Sequence, residues 1–118
     1  MKYLFVLAML FSFNLSAEDK IFCSLIKAPK IVKKVEARVD YDKAKHCSVS
    51  CSLNLYCNKT EVYIFGLGKE FADLLGAGTP DAKDIAANKI GISFSESGSA
   101  KTEDECIDVC VDYDWREL

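Results

Sequence analysis

Apolar residues return every three or four positions along most of the chain, and that period predicts helices rather than strands. One such stretch runs from Val62 to Leu75 and sets Ile64, Leu67, Gly68, Phe71, Leu74 and Leu75 on one face. Asn58 or Thr60 can cap it, Gly76 or Gly78 can stop it, and it carries the strongest core signal in the chain. A helix from Asp40 or Asp42 to about Tyr56 places Ala44, Cys47, Ser48, Cys51 and Leu55 together. Thr79-Pro80-Asp81 reads as another helix start, with a capping hydroxyl, a proline in the first turn and a carboxylate at the positive dipole end. That helix carries Ile85, Ala86 and Lys89 and should end before Gly91, with a serine- and glycine-rich loop from Ser93 to Lys101. Thr102-Glu103-Asp104-Glu105 is a capping box that opens a last helix with Ile107, Cys110 and Val111 inward.

The earlier part of the pattern is less decided. Ile21 to Ile26 is apolar around Cys23 and suits a short strand or an extended arm, which Pro29 then interrupts. From Ile31 to Tyr41, Val32, Val35 and Val39 fit a helical face, whereas Val35, Ala37, Val39 and Tyr41 alternate as in a strand. Both readings stay open.

The first residues have a different meaning. Met1-Lys2, an apolar stretch from Tyr3 to Phe13, and Asn14-Leu15-Ser16-Ala17 before Glu18-Asp19-Lys20 make a secretory signal peptide, cut after Ala17. The run falls short of the ~20 apolar residues that span a bilayer. Bulky Lys20-Ile21-Phe22 before Cys23 does not suit a lipoprotein signal. Residues 18–118 then form a single exported domain, secreted or periplasmic, that keeps all six cysteines.

An even cysteine count in an exported chain argues for disulfides. Cys47 and Cys51, like Cys106 and Cys110, are four apart, so each pair offers two sulfurs from one helix face. Four helices on short connections alternate in direction, which makes the first and last antiparallel and pairs Cys47 with Cys110 and Cys51 with Cys106, leaving Cys23 for Cys57. Disulfides hold Cα atoms ~5.5 Å apart while helix axes prefer about 8–10 Å, so small Ala44 and Ser48 matter for the approach. Zinc held by thiolates is the competing reading, and the spacing does not favour it. The fold predicted is mainly α: a small disulfide-stapled helical bundle of about four helices with an extended N-terminal arm.

Charge divides unevenly. Residues 18–59 hold nine basic and five acidic side chains, and residues 60–118 hold five and thirteen. Two complementary halves account for this, together with a solvated acidic end. Lys27, Lys30, Lys33 and Lys34 are not interleaved with aromatics, so no nucleic-acid partner is expected.

His46 is the only histidine and so the only imidazole available for proton transfer. Asp42, His46 and Ser50 lie four apart, but three side chains stacked on one helix do not form a nucleophilic triad with an oxyanion hole. Glu70 with Asp73, and Asp84 with Asn88, place polar pairs on single helix faces and, with His46, could build a polar cluster, a metal site or an acid–base pair. Solvated helix faces explain them equally well, and no metal or cofactor is assigned. Gly66-Leu67-Gly68-Lys69 lacks the glycine and hydroxyl of a phosphate loop. Asp112 and Asp114 lack the frame of a calcium loop, and Tyr113 and Trp115 suit either a surface anchor or an aromatic end folded onto the core.

Lys45-His46-Cys47-x-x-x-Cys51, Gly68-Lys69-Glu70-x-x-Asp73, Asp84-x-x-Ala87-Asn88-x-x-Gly91-Ile92 and the closing cysteine pair, in that order, resemble a small cysteine-containing domain at the C-terminal ends of some bacterial Rhs-type polymorphic toxins. The likeness spans Lys45 to Cys110 through scattered matches and implies His46, Glu70, Asp84 and Asn88 as candidate site residues, without implying a reaction. An own signal peptide and the lack of carrier repeats depart from that setting. The sequence therefore points to an exported binding or effector module whose partner is an extracytoplasmic protein or envelope component, with no stable membrane insertion. A small hydrolase-like secreted toxin using His46 with Glu70 or Asp84 is the alternative. A membrane-active protein built on Val62 to Leu75 is disfavoured by Glu70 and Asp73.

Overall fold

The computed structural model describes residues 22–72 and 81–118, with the side chains of residues 69–72 and 117 outside that description. The signal peptide expected at 1–17 and the capping residues Thr79 and Pro80 lie outside it too. Among the described residues the chain is helical throughout: α1 Cys23–Arg38, α2 Asp42–Tyr56, α3 Lys59–Ala72, α4 Ala82–Glu96 and α5 Glu103–Asp112, then a short 3-10 turn Trp115–Glu117. No described helix is long and apolar enough to cross a membrane.

α1 corrects the expected arm. The chain is helical from Cys23, runs through Pro29 and reaches Arg38, which also settles the helix-or-strand question at 31–38. An internal proline costs roughly 3 kcal/mol in a helix. Ser24, Ala28, Ile31 and Val35, spaced four, three and four apart, bury one continuous stripe that offsets it, while Pro29 itself is exposed. Val39 leaves the helix with extended backbone and sets the turn into α2.

α2 is the centre of the molecule. Its cap position is Tyr41, not Asp40 or Asp42; Asp42 is the first helical residue and its carboxylate turns sideways to Lys43 and His46. Lys43, Ala44, Cys47, Ser48, Ser50, Cys51, Ser52 and Leu53 are all buried, so α2 is enclosed by α1, α4 and α5 on most of its circumference. Disulfides Cys47–Cys110 and Cys51–Cys106, with Cα separations of 5.7 and 5.6 Å, bind α2 to antiparallel α5. Cys23–Cys57, at 5.7 Å, ties the start of α1 to the end of α2. No free cysteine remains.

α4 differs from expectation at both ends. Its cap is Asp81, whose Oδ1 accepts from the Lys83 backbone N–H at 2.8 Å, and it does not stop before Gly91 but continues to Glu96. A Cβ on Gly91 would lie 2.2 Å from the Cys47 carbonyl oxygen, so this glycine lets the backbones of α4 and α2 touch. The reversal comes later, at Gly98 with φ 78°.

α3 also turns differently. Asn58 caps it, accepting from the Thr60 N–H at 2.9 Å, but Val62, Phe65 and Gly66 face the body while Ile64 is 60% exposed and Gly68 faces open space. The inward placement expected of Ile64 and Gly68 is therefore overturned; that of Phe71, Leu74 and Leu75 lies outside the described side chains. Glycine at 66 lets Asn88 of α4 lie directly against the α3 backbone. In α5 the Thr102 hydroxyl accepts from the Glu105 N–H at 3.1 Å, Cys106, Ile107 and Cys110 are buried, and Val111, expected inward, is 52% exposed. Trp115 folds back, its indole Nε1–H donating to the Cys110 carbonyl at 2.8 Å, with Tyr113 4.6 Å from its ring.

The two charge halves meet between α1 and α5. Asp104 accepts from Arg38 at 2.7 Å and pairs with Lys34 at 3.0 Å. Those two hydrogen-bonding cations hold its carboxyl below the usual aspartate range.

Candidate functional site

The site lies where the first two turns of α2 meet α4. Helix spacing puts Asp42, His46 and Ser50 on one flank of α2, and the Asp81 cap starts α4 so that Asp84 and Asn88 face that flank from its first two turns. His46 Nε2 is 3.3 Å from Asp84 Oδ2 and 3.6 Å from Asp42 Oδ1. Facing two carboxylates, Nε2 is the nitrogen placed to donate, which in a neutral imidazole would leave Nδ1 as the acceptor.

Lys43 completes the arrangement. Its ammonium donates to Asp81 Oδ2 and Asp84 Oδ1, both at 2.5 Å, and to Asp42 Oδ2 at 3.3 Å. Each of Asp42 and Asp84 therefore gives one oxygen to the lysine and turns the other toward the imidazole. Lys43 resists burial, which lowers its pKa, but its three carboxylate partners more than compensate and hold it firmly protonated. Burial drives the Asp84 carboxyl above the ordinary aspartate range, helped by its proximity to Asp42 and opposed by Lys43 and His46. Burial also acts on Asp42, yet His46, Asp84 and Lys43 together carry its carboxyl below that range. The two acids are thus pushed apart: Asp84 is the one that holds a proton longer.

A cleft of about 350 Å³ opens beside this network, lined by Val32, Val49, Leu53 and Phe65 as apolar wall and by Asp42, His46, Ser50 and Asn88 as polar edge. It lies at the small end of the range for small-molecule sites and has their composition, mostly apolar with few polar groups. Of the residues expected from sequence, His46, Asp84 and Asn88 meet here. The helix of Glu70 is described but its side chain is not, and Asp73 lies outside the described residues. Lys43 and Asp81 are site residues that sequence reasoning missed. Lys43 had a readable sign: it precedes Cys47 by four and so lies on the stapled face of α2, where a lysine must find acids.

Asp42, His46 and Asp84 offer donor atoms within 4.8 Å of one another, a spacing that a divalent cation could use. Lys43 already supplies the positive charge between these carboxylates, so the donor set is neutralised from within and does not require a metal.

Comparisons of this chain with protein-family models, with curated proteins and with solved structures gave no match. The functional reading therefore rests on the geometry.

Proposed function

We propose that the mature protein acts outside the cytoplasm as a binding or effector module and that the His46 cleft is its working part. The observation that carries this is the meeting of an imidazole, oriented through Nε2 by Asp84 and Asp42, with the wall of an apolar cleft. A small ligand seated there would meet the His46 imidazole on the polar edge of the cleft. The three disulfides suit an oxidising compartment, and the likeness to C-terminal domains of Rhs-type polymorphic toxins belongs to the same reading.

The test is His46→Gln in the full chain, expressed with its leader in bacterial cells, with growth as readout and disulfide mapping and thermal melting of the purified protein as controls. Growth inhibition by the parent that disappears in the correctly folded variant supports the reading. A parent without effect on growth, or a variant as inhibitory as the parent, removes it.

A second reading, the small hydrolase-like toxin, is favoured by one specific feature: an imidazole backed by a carboxylate is the arrangement that general-base catalysis needs. Asp84 then acts as a positioning group and His46 as the base. Asp84→Asn separates the readings, since it disturbs imidazole orientation while keeping the shape of the cleft. Loss of activity with an unchanged melting temperature favours catalysis, and retained activity favours binding alone.

A further inference from the structure

Two buried polar side chains on the cleft have no task inside the protein. Asn88 is 5% exposed and Ser50 4% exposed, both line the cleft, and neither has a hydrogen-bond partner among the described residues. Their polar atoms are not among those sealed in the core without a partner, so they open on the cleft, where a ligand can meet them. Asn88 is also fixed in place: a Cβ on Gly66 would come within 2.5 Å of its Nδ2 and 3.3 Å of its Cγ, so the amide lies against the bare backbone of α3. The absent side chain at Gly66 is the space the amide uses.

The charges around it are already spent on one another. Lys43 is held by three aspartates, and Lys45, on the cleft rim, pairs with Glu36 at 3.1 Å. No unpaired cation is therefore offered to an anionic ligand among the described residues of the cleft. The acids of the rim are likewise met by Lys43 and Lys45, which leaves, beside the imidazole of His46, the carboxamide of Asn88 and the hydroxyl of Ser50 as the open recognition groups. A carboxamide presents one acceptor and a pair of donors in one plane, and its natural complement is another carboxamide.

We propose that the cleft binds a neutral carboxamide carried on a small apolar or aromatic body. Asn88 pairs with its donor and acceptor, Ser50 supplies a further hydrogen bond, and Val49, Leu53 and Phe65 cover the apolar part. The volume of about 350 Å³ suits a ligand the size of a substituted benzamide or a short peptide end. This rests on the reading of the cleft as the working site and names the chemistry it accepts.

The experiment is a nuclear magnetic resonance titration of the isotopically labelled mature protein with four probes of similar shape: benzamide, benzoate, benzylamine and toluene. Benzamide should move the Asn88 side-chain amide together with the backbone signals of Ser50 and Gly66, and should bind at least about tenfold more tightly than the other three. Asn88→Leu, close in size, should remove that advantage and leave toluene binding intact. Ser50→Ala should reduce it several-fold, which keeps the test open if Asn88→Leu does not fold. Equal binding of benzoate, benzylamine or toluene overturns the proposal, as does benzamide that leaves Asn88 unmoved. Unmoved Asn88 with a His46→Gln variant that has lost activity would sink the ligand class alone. Benzamide bound as described with a fully active His46→Gln variant would sink the cleft's role as effector site and keep the ligand class.

Discussion

The two flanks of α2 handle their polar and reactive atoms in opposite ways. Toward α5, Cys47 and Cys51 are fully buried and covalently closed, and nothing there can exchange protons or admit a ligand. Toward the cleft, Asp42, His46 and Ser50 are held by charge pairs and packing that stop short of the surface, and His46 keeps 15% of its side chain exposed. One helix thus serves as both anchor and working edge. Rigidity on the stapled flank is what allows the other flank to remain incompletely satisfied without the helix shifting to repair itself.

The comparison can be broken hardest from the stapled side. Replacing Cys47, Cys51, Cys106 and Cys110 together by alanine opens the long loop that either bond closes and should cost about 4 kcal/mol, seen as a large fall in melting temperature. The His46 cleft should lose ligand binding with it, because α2, which carries His46, is then no longer bound to α5.

Gly91→Val tests the same rigidity without touching sulfur. Its Cβ would enter the space of the Cys47 carbonyl, which cannot move aside, so a loss of about 3 kcal/mol in denaturant unfolding is expected. Gly68→Ala is the matched control. That glycine faces open space, and alanine there should stabilise α3 by up to about 1 kcal/mol.

On the working flank, Lys43→Met should cost about 3 kcal/mol at neutral pH, because it leaves buried Asp84 without its cation. The pH dependence gives a sharper check. An acid whose folded pKa lies above its unfolded value destabilises the fold as pH rises through that range, and Asp84 already has this sense before its lysine is removed. The variant should therefore regain stability on acidification, and a Lys43→Met protein whose melting temperature is flat between neutral pH and pH ~4 would contradict the assignment.

The smallest effect belongs to the surface. Asp104 sits below its ordinary range, so what it adds is fully present above the unfolded value of 3.8 and fades as pH falls through its lower folded value. Asp104→Asn should leave neutral-pH stability close to that of the parent and flatten the acid side of a melting-temperature profile.

Much of this was legible in the residues. Cysteines four apart on two helices, with an even total and short connections, lead to the same bonds that the fold contains, because side chains one turn apart can face a single antiparallel partner. His46, Asp84 and Asn88 were readable as chemistry but not as neighbours, since only the crossing of α2 over α4 brings them together. Local rules misled where tertiary contact outweighed them. Pro29 sits within a helix that the Cys23–Cys57 bond and a buried stripe hold in place, and Gly91 is a packing residue instead of a stop. Ile64 misled by its hydrophobicity: Val62 is buried in its stead, because α3 is rotated to let Gly66 meet Asn88.

The placement of the sulfur bridges has one consequence for handling and processing. Cys57 and every cysteine before it belong to one stretch of chain, while Cys106 and Cys110 belong to another, and two bonds join them. A protease that severs the backbone anywhere between Cys57 and Cys106 would yield two polypeptides that still migrate as one particle, separating only when a reductant is added.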